Sequence, residues 1–444
     1  MNLLRRLPRF RQAYREMETF GARERWSRGD IESLQLDRIN VVWGHAIAHV
    51  PHYRELHAAR GLPDRFSSLD EFTSRVPVLS KGTVRADSRR FLSDRAASGG
   101  WRSTSGSSGE PLRAFWGNEA HRETLRAKYR FYQMWNIDIL DRMAYLWGHG
   151  NAYVPGLSGR IHRVRQPIED RLRNRLRLSA YYLSEADLQR YLVHIERFRP
   201  RSLYGYSSAL ELLARSAARE RFHCDSIGLS TLTAETATPE MVQAIESAFG
   251  APAVIEYGSG ECGVFAHEWP DRKVHVREDI AMVETRVRDD GQRDIIVSVL
   301  TNPSFPLLRY EIGDVTDRPL EQPSHGFATL NTVVGRSNDF VVTKRGARIH
   351  YTQFKHVLDH ASDVHRFQVH QHASGFVSVH LETSASHDRA ALVRMKATFE
   401  TWLDGFGVEV ISAPLQPLPT GKYRWLVSAY RVPDRTSQGV SGAH

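Results

Sequence analysis

The sequence predicts an α/β protein, with a large N-terminal domain of helix-covered sheets followed by a small C-terminal α+β domain. Three observations carry that expectation. At 444 residues the chain exceeds what one compact core organises, which points to two or three domains. Between about residues 99 and 334, apolar strand-like runs alternate with helical patterns. After Asp339 this alternation gives way to a short strand, a hairpin and one further helix and strand.

Residues 1–98 are rich in Arg, Glu, Leu and Ala and hold few strand-like runs, so they form a helical region packed on the domain that follows. The second domain, 99–338, contains the runs Met143-Ala144-Tyr145-Leu146-Trp147, Ser202-Leu203-Tyr204, Leu229 to Thr233 and Ala253 to Tyr257. Helical periodicity fills the intervals from Glu185 to Phe198, Ser208 to Glu220 and Pro239 to Phe249. Arg160 to Arg177, where Leu172, Leu176 and Leu178 interleave with arginines, is expected to be an amphipathic surface helix. The third domain, 339–430, opens with Phe340-Val341-Val342 and a helix-like segment from Thr352 to His360. A hairpin from Arg366 to Thr383 turns near Ala373-Ser374-Gly375, and a helix from about Asp388 to Phe406 leads to a strand at Val408 to Ile411. Residues 431–444, rich in Ser, Gly and charge, are expected to be disordered.

Hydrophobic content of 41% and charged content of 25% are ordinary for a globular protein. The two cysteines, Cys224 and Cys262, are too few for a disulfide framework and fit a reducing compartment. The N-terminal residues lack the apolar core of a signal peptide, and no stretch approaches the ~20 apolar residues of a membrane helix. A cytoplasmic protein without an integral membrane segment is the expectation. The net charge of +9 attracts anions in general, but no nucleic-acid module accompanies the arginines, so nucleic acid is not the expected partner.

The densest chemistry lies in Arg102-Ser103-Thr104-Ser105-Gly106-Ser107-Ser108-Gly109-Glu110-Pro111. Glycines let backbone approach an anion, while N–H groups and hydroxyls donate to its oxygens. No Lys follows the second glycine, so this is not a Walker-type loop. A flexible linker is the alternative, opposed by the apolar run that resumes at Leu112. Further on stand Ile255-Glu256-Tyr257-Gly258-Ser259-Gly260-Glu261, Arg309-Tyr310-Glu311-Ile312-Gly313-Asp314, Gly335-Arg336-Ser337-Asn338-Asp339, Lys344 to His350, and Leu418-Pro419-Thr420-Gly421-Lys422.

In this order these segments resemble the adenylate-forming enzyme superfamily, and most closely its phenylacetate–CoA ligase-like branch, which includes proteins associated with capsule biosynthesis. Ala48 to Arg54, Val76-Pro77-Val78-Leu79-Ser80-Lys81, Leu203 to Ser208 and Thr233-Ala234-Glu235 have counterparts in that branch. The resemblance runs from about residue 40 to about residue 428. It implies a large adenylate-forming domain and a mobile C-terminal domain.

By that resemblance, Thr104, Ser105, Gly106, Ser107, Ser108 and Gly109 cradle the phosphates of ATP. Tyr257 packs on adenine within a wall that includes Ala234, Glu235, Gly258 and Ser259. Asp314 accepts from the ribose hydroxyls, Arg336 reaches the ribose or phosphates, and Glu261 helps to bind Mg²⁺. Asp339 is the hinge, and Lys422 bridges the substrate carboxylate and the α-phosphate. Trp147, His149, Tyr204, Tyr206 and Ser207 border the acyl group, with His149 either touching it or holding its own loop. Many relatives have Ser or Thr where this chain has Gly260, so Ser259 or a backbone N–H takes over that contact, or nucleotide is held less tightly. The expected activity joins a carboxylic acid to ATP and passes the acyl group to CoA. An amine acceptor in surface polysaccharide or specialised metabolite biosynthesis, an acidic carrier protein, and a nucleotide-binding pseudoenzyme are the alternatives.

Overall fold

The computed structural model describes residues 8–103, 112–148, 165–180, 182–235, 237, 239–288, 293–331, 333–334, 340–345, 347–350, 353–354, 357–358, 364–383, 389–412 and 426–428. The chain opens with α1 (Pro8–Arg23), α2 (Arg28–His49), α3 (Pro51–Arg60), α4 (Leu69–Arg75) and α5 (Lys81–Ala86). Their boundaries follow local chemistry. Ser27, Ser68 and Ser80 cap the starts of α2, α4 and α5, Pro51 stands in the first turn of α3, and Gly61 at φ 55° ends it. Trp43, Tyr53 and Phe72 from these helices, with Phe66 from the loop before α4, share one core with Phe265, Val297 and Tyr310.

The hairpin of β1 (Gly99–Ser103) and β2 (Arg113–Gly117) brackets the hydroxyl-rich loop, and α6 (Asn118–Met134) follows it. Next come β3 (Met143–Trp147), α7 (165–172), β4 (Arg175–Ser179), β5 (Tyr182–Leu183) and α8 (Glu185–Phe198). The alternation continues through β6 (Ser202–Tyr206), α9 (Ser207–Arg219), β7 (Leu229–Thr233), α10 (Pro239–Phe249) and β8 (Ala253–Ser259). The strands β9 (Gly263–Glu268), β10 (Val274–Val276), β11 (Ala281–Val287), β12 (Arg293–Val299), β13 (Tyr310–Thr316), β14 (Thr329–Leu330) and β15 (Val333–Val334) complete the large body.

Among the described residues, one sheet has the order β14-β10-β9-β8-β7-β6-β3-β4. Its members from β4 to β8 run parallel, and β9, β10 and β14 return antiparallel. Parallel strands need both faces covered. Helices α8, α9 and α10 cover one with Leu192, Leu213 and Ile245 against Leu203 and Leu232. Helix α6 covers the other with Phe131 and Tyr132 against Met143, Leu229 and Val254. A second, antiparallel sheet has the order β11-β12-β13-β15.

The expected helix from Arg160 to Arg177 is corrected in part. Residues 165–172 are helical, but Asn174 takes φ 52° and Arg175 to Ser179 form β4 at the sheet edge, paired with β3. The reason is periodicity: Arg175-Leu176-Arg177-Leu178 alternates every residue, as a strand requires, and Leu178 is buried.

The C-terminal part contains β16 (Phe340–Val342), β17 (Arg348–His350), β18 (Val364–Gln371), β19 (Val377–Thr383), α11 (Arg389–Trp402), β20 (Val408–Ser412) and β21 (Leu426–Ser428). Strands β20-β19-β18-β21 form one sheet around Val369, Val379, Leu381 and Phe399, and β16, β17 and β5 form another. Helix α11 stops short of the expected Phe406, because Asp404 and Gly405 take φ 51° and 93°.

Arg277 ties the N-terminal helices to the strands. It is 1% exposed, donates to Asp279 at 2.8 and 3.1 Å and to Glu24 at 2.9 Å, and lies between the rings of Phe20 and Phe327. Removing one member of a buried charge cluster leaves the others uncompensated. Arg277→Ala is therefore expected to lower folding stability by roughly 3–5 kcal/mol, measured as a depressed melting temperature with α1 lost first in limited proteolysis.

Candidate functional site

In a sheet of parallel strands the C-terminal strand ends share one edge, and that is where ligands bind. Here the edge gathers Trp147, Tyr206, Ala234 and the turn Tyr257-Gly258-Ser259-Gly260-Glu261. The turn reverses β8 into β9 so tightly that a Cβ on Gly258 would stand 2.2 Å from the Gly263 carbonyl oxygen. Ser259 Oγ accepts from the Cys262 N–H at 3.0 Å, so it braces the turn from within. Trp116 of β2 donates through Nε1 to the Gly260 carbonyl at 3.3 Å, which sets β2 beside this turn.

Asp314 reaches the same place from the second sheet. The register of β12 and β13 passes from Ile296↔Glu311 to Asp294↔Val315, so β13 carries extra residues at this point. Gly313 accommodates the bulge at φ 86°. The bulge presents Asp314 to Tyr257, whose hydroxyl donates to Oδ2 at 3.2 Å. Burial and the neighbouring Asp314 carboxylate push the Tyr257 hydroxyl far above its ordinary range, so it stays a donor.

Glu261 is 3% exposed, and its Oε1 accepts from Lys81 Nζ at 2.8 Å and from the Tyr310 hydroxyl at 2.9 Å. Lys81 arrives there because Leu79 bonds main chain to main chain with Arg309 and Glu311, beside β13, before Ser80 caps α5. The sequence reading quoted Lys81 within a motif and gave it no role; its partner lies 180 residues away. Both contacts fall on Oε1, so Oε2 faces neither of them. One carboxylate oxygen together with nucleotide phosphates suits Mg²⁺, which rarely takes an all-protein cage. Among the described residues no group of three His, Cys, Asp or Glu could hold a metal ion.

At the C-terminal ends of β3 and β6, Trp147 lies 4.2 Å from Tyr206 and 5.6 Å from Tyr204, ring centre to ring centre. Ser207 donates to the Glu235 carbonyl at 3.4 Å. Ala234 takes φ 65°, a left-handed conformation that an alanine adopts at a cost, at the end of β7. Two residues to which the sequence alone assigns no role join this side. Glu256, 2% exposed, accepts from the Tyr204 hydroxyl at 2.6 Å and pairs with Lys128 of α6 at 2.9 Å. Lys128 gives no local signal, since its partner is 128 residues distant. Thr104 to Gly109, His149, Arg336, Asp339 and Lys422 lie outside the described residues.

No family model matches the chain. Among curated proteins it is 22% identical over 321 residues to Protein CapK of Staphylococcus aureus, covering 71% of this chain and 70% of that one. It is 24% identical over 363 residues to the phenylacetate-coenzyme A ligase of Aromatoleum evansii, covering 76% and 77%. Among solved structures, 2-hydroxyisobutyryl-CoA ligase in complex with 2-HIB-AMP and CoA, in its thioesterification state, superposes with a TM-score of 0.61. That match is 18% identical and covers 92% of this chain and 91% of the other, and it shows the fold. An open conformation of the same ligase gives 0.57.

The tight turn has a direct test. Gly258→Ala places a methyl against backbone and is expected to cost about 1–3 kcal/mol in thermal unfolding. Gly100→Ala, where an added methyl meets nothing within 4 Å, is the control and should shift stability by no more than about 0.5 kcal/mol.

Proposed function

We propose that this chain, which belongs to the phenylacetate–CoA ligase-like branch of the adenylate-forming superfamily, activates a carboxylic acid with ATP and transfers its acyl group to CoA. The observation that carries this reading is the 3.2 Å contact of Tyr257 with Asp314, 57 residues apart, beside the turn that holds Glu261. A ring, a ribose-directed carboxylate and a phosphate-directed carboxylate at one strand edge form the frame that a nucleoside triphosphate needs.

In the first step a carboxylate oxygen of the acid attacks the α-phosphorus, the bond to the β-phosphate breaks, and pyrophosphate leaves. Both reactants are anionic, so the site's work is positioning and charge compensation. Tyr257 packs against adenine, and Asp314 accepts from the ribose hydroxyls. The loop from Thr104 to Gly109 donates to the outer phosphates, with Arg336 nearby. Lys422 sets its ammonium between the two anions. Glu261 would hold Mg²⁺ that enters with the nucleotide, and the ion would supply neutralisation of phosphate charge.

In the second step the CoA thiolate attacks the acyl carbon and AMP departs. The C-terminal part pivots at Asp339, which withdraws Lys422 and brings the segment from Lys344 to His350 to the site. The likeness to a phenylacetate-coenzyme A ligase over about three-quarters of each chain supports CoA as acceptor.

Pyrophosphate release from Mg·ATP across aromatic, aliphatic, amino and sugar acids tests the reading. Asp314→Ala and Lys422→Ala are each expected to reduce release by ~10²–10³-fold. Nucleotide affinity should fall in Asp314→Ala and persist in Lys422→Ala. With the active acid in hand, thioester formation with CoA is the expected outcome; amide formation with an amine instead would reassign the acceptor. Release unaffected by either substitution would overturn the mechanism.

A further inference from the structure

Beneath Trp147 and Tyr206 lies a buried polar cluster that the two steps above leave unused. Cross-strand register lines up Tyr204 with Thr231 in one row and Tyr206, Thr233, Glu256 and His267 in the next. Residues two apart on a strand share a face, so both rows look toward α6, which lays Lys128 and Tyr132 over them. Lys128 Nζ sits 3.7 Å from the Tyr204 ring centre and 2.9 Å from Glu256.

The polarity is confined to one end of this face. Toward the N-terminal strand ends the same face is apolar, with Met143, Leu229 and Val254 packed on Phe131 and Ile137. Toward the C-terminal ends, where the acyl group is placed, it carries a carboxylate, an ammonium and hydroxyls. Several of these are incomplete. The Tyr132 hydroxyl and Thr231 Oγ1 face each other, His267 Nε2 stands 3.7 Å from Glu256, and none of these buried atoms, nor His267 Nδ1, makes a hydrogen bond of ordinary geometry among the described residues. Buried polar atoms are rarely left so, and a cluster of them marks where water or a ligand group completes the network.

Charge narrows the choice of ligand group. Lys128 and the other contacts hold Glu256 ionised despite its burial, so the pair already sums to zero. A charged substituent would leave a net charge among buried groups, whereas a hydroxyl adds none. A hydroxyl can also donate to Glu256 and accept from Tyr132 at once.

We propose that this cluster is the far end of the acyl pocket and selects carboxylic acids whose tail ends in a neutral hydroxyl, bound through Glu256, Thr231 and Tyr132. The inference rests on the ligase reading and supplies its substrate class.

Matched acids test it: 4-hydroxyphenylacetate against phenylacetate, and 6-hydroxyhexanoate against hexanoate, compared by kcat/KM for pyrophosphate release. The hydroxylated member of at least one pair is expected to be favoured by ~10²-fold or more, since a site built to bind a hydroxyl rejects the analogue that lacks it. Glu256→Gln and Thr231→Val should each bring that ratio toward one, with melting temperatures confirming that the variants fold. A ratio near one in the native protein overturns the proposal, and so does preference for the 4-aminophenylacetate or adipate counterpart. So does a variant that slows both members of a pair equally, which is the mark of a structural role. Absence of turnover with every acid tells against the ligase reading instead. Calorimetric binding of the same pairs then decides the inference: a hydroxyl preference there sustains it, and none overturns it.

Discussion

The alternation of side chains along β8 is the constraint on which the rest of the site depends. Successive residues of a strand face opposite ways, so Glu256 and Tyr257 cannot serve the same compartment. Glu256 faces α6 and the aromatic rings of β3 and β6; Tyr257 meets Asp314 from the second sheet. Slipping the strand by one residue would exchange the two and dismantle both. Register is held by parallel pairing with β7 on one side and by the close return of β9 on the other. The return is possible because Gly258 has no side chain to oppose it.

Three ion pairs between distant segments set the electrostatics: Lys81 with Glu261, Lys128 with Glu256, and Arg277 with Glu24, the last of which also accepts from Arg130. Taking such ions out of water is unfavourable unless a partner and further hydrogen bonds complete them. All three pairs join segments distant in the chain, so charge complementarity here works as a register for tertiary assembly. The Lys81 pair differs in purpose from the Arg277 pair. Arg277 is enclosed by aromatic rings and other charges, whereas Glu261 keeps an oxygen turned away from both of its donors.

Much of this was legible in the sequence where the signal is local. Periodicity alone gives the helix from Glu185 to Phe198 to the residue, and the structure adds a capping box of Ser184 and Asp187 at its start. The helix from Pro239 to Phe249 ends where Gly250 turns left-handed. In the stretch Arg175 to Ser179 the arginines suggest a charged helix face, but the period of two is a strand's and decides the structure. Lys81 and Lys128 carry no local mark at all. A lysine on a helix is ordinarily solvated, and only the folding of the sheets brings Glu261 and Glu256 to them. The motif residues Tyr257 and Asp314 were named from their order in the chain; that they touch is information only the fold contains.

The seam between the C-terminal part and the large body has a mechanical consequence. Among the described residues, strand β17 joins β5 through two pairs, Arg348↔Leu183 and Ile349↔Tyr182. On its other side, β16 is clamped to β18 by the buried Gln371, whose amide donates to the Val342 carbonyl at 2.5 Å and accepts from its N–H at 2.9 Å. Under load, a short ladder yields before a clamp embedded in a packed core. A pull that parts the two bodies therefore opens the β17–β5 joint and leaves β16 and β17 travelling with the C-terminal sheet. The joint acts as a shear pin, the element that gives way first.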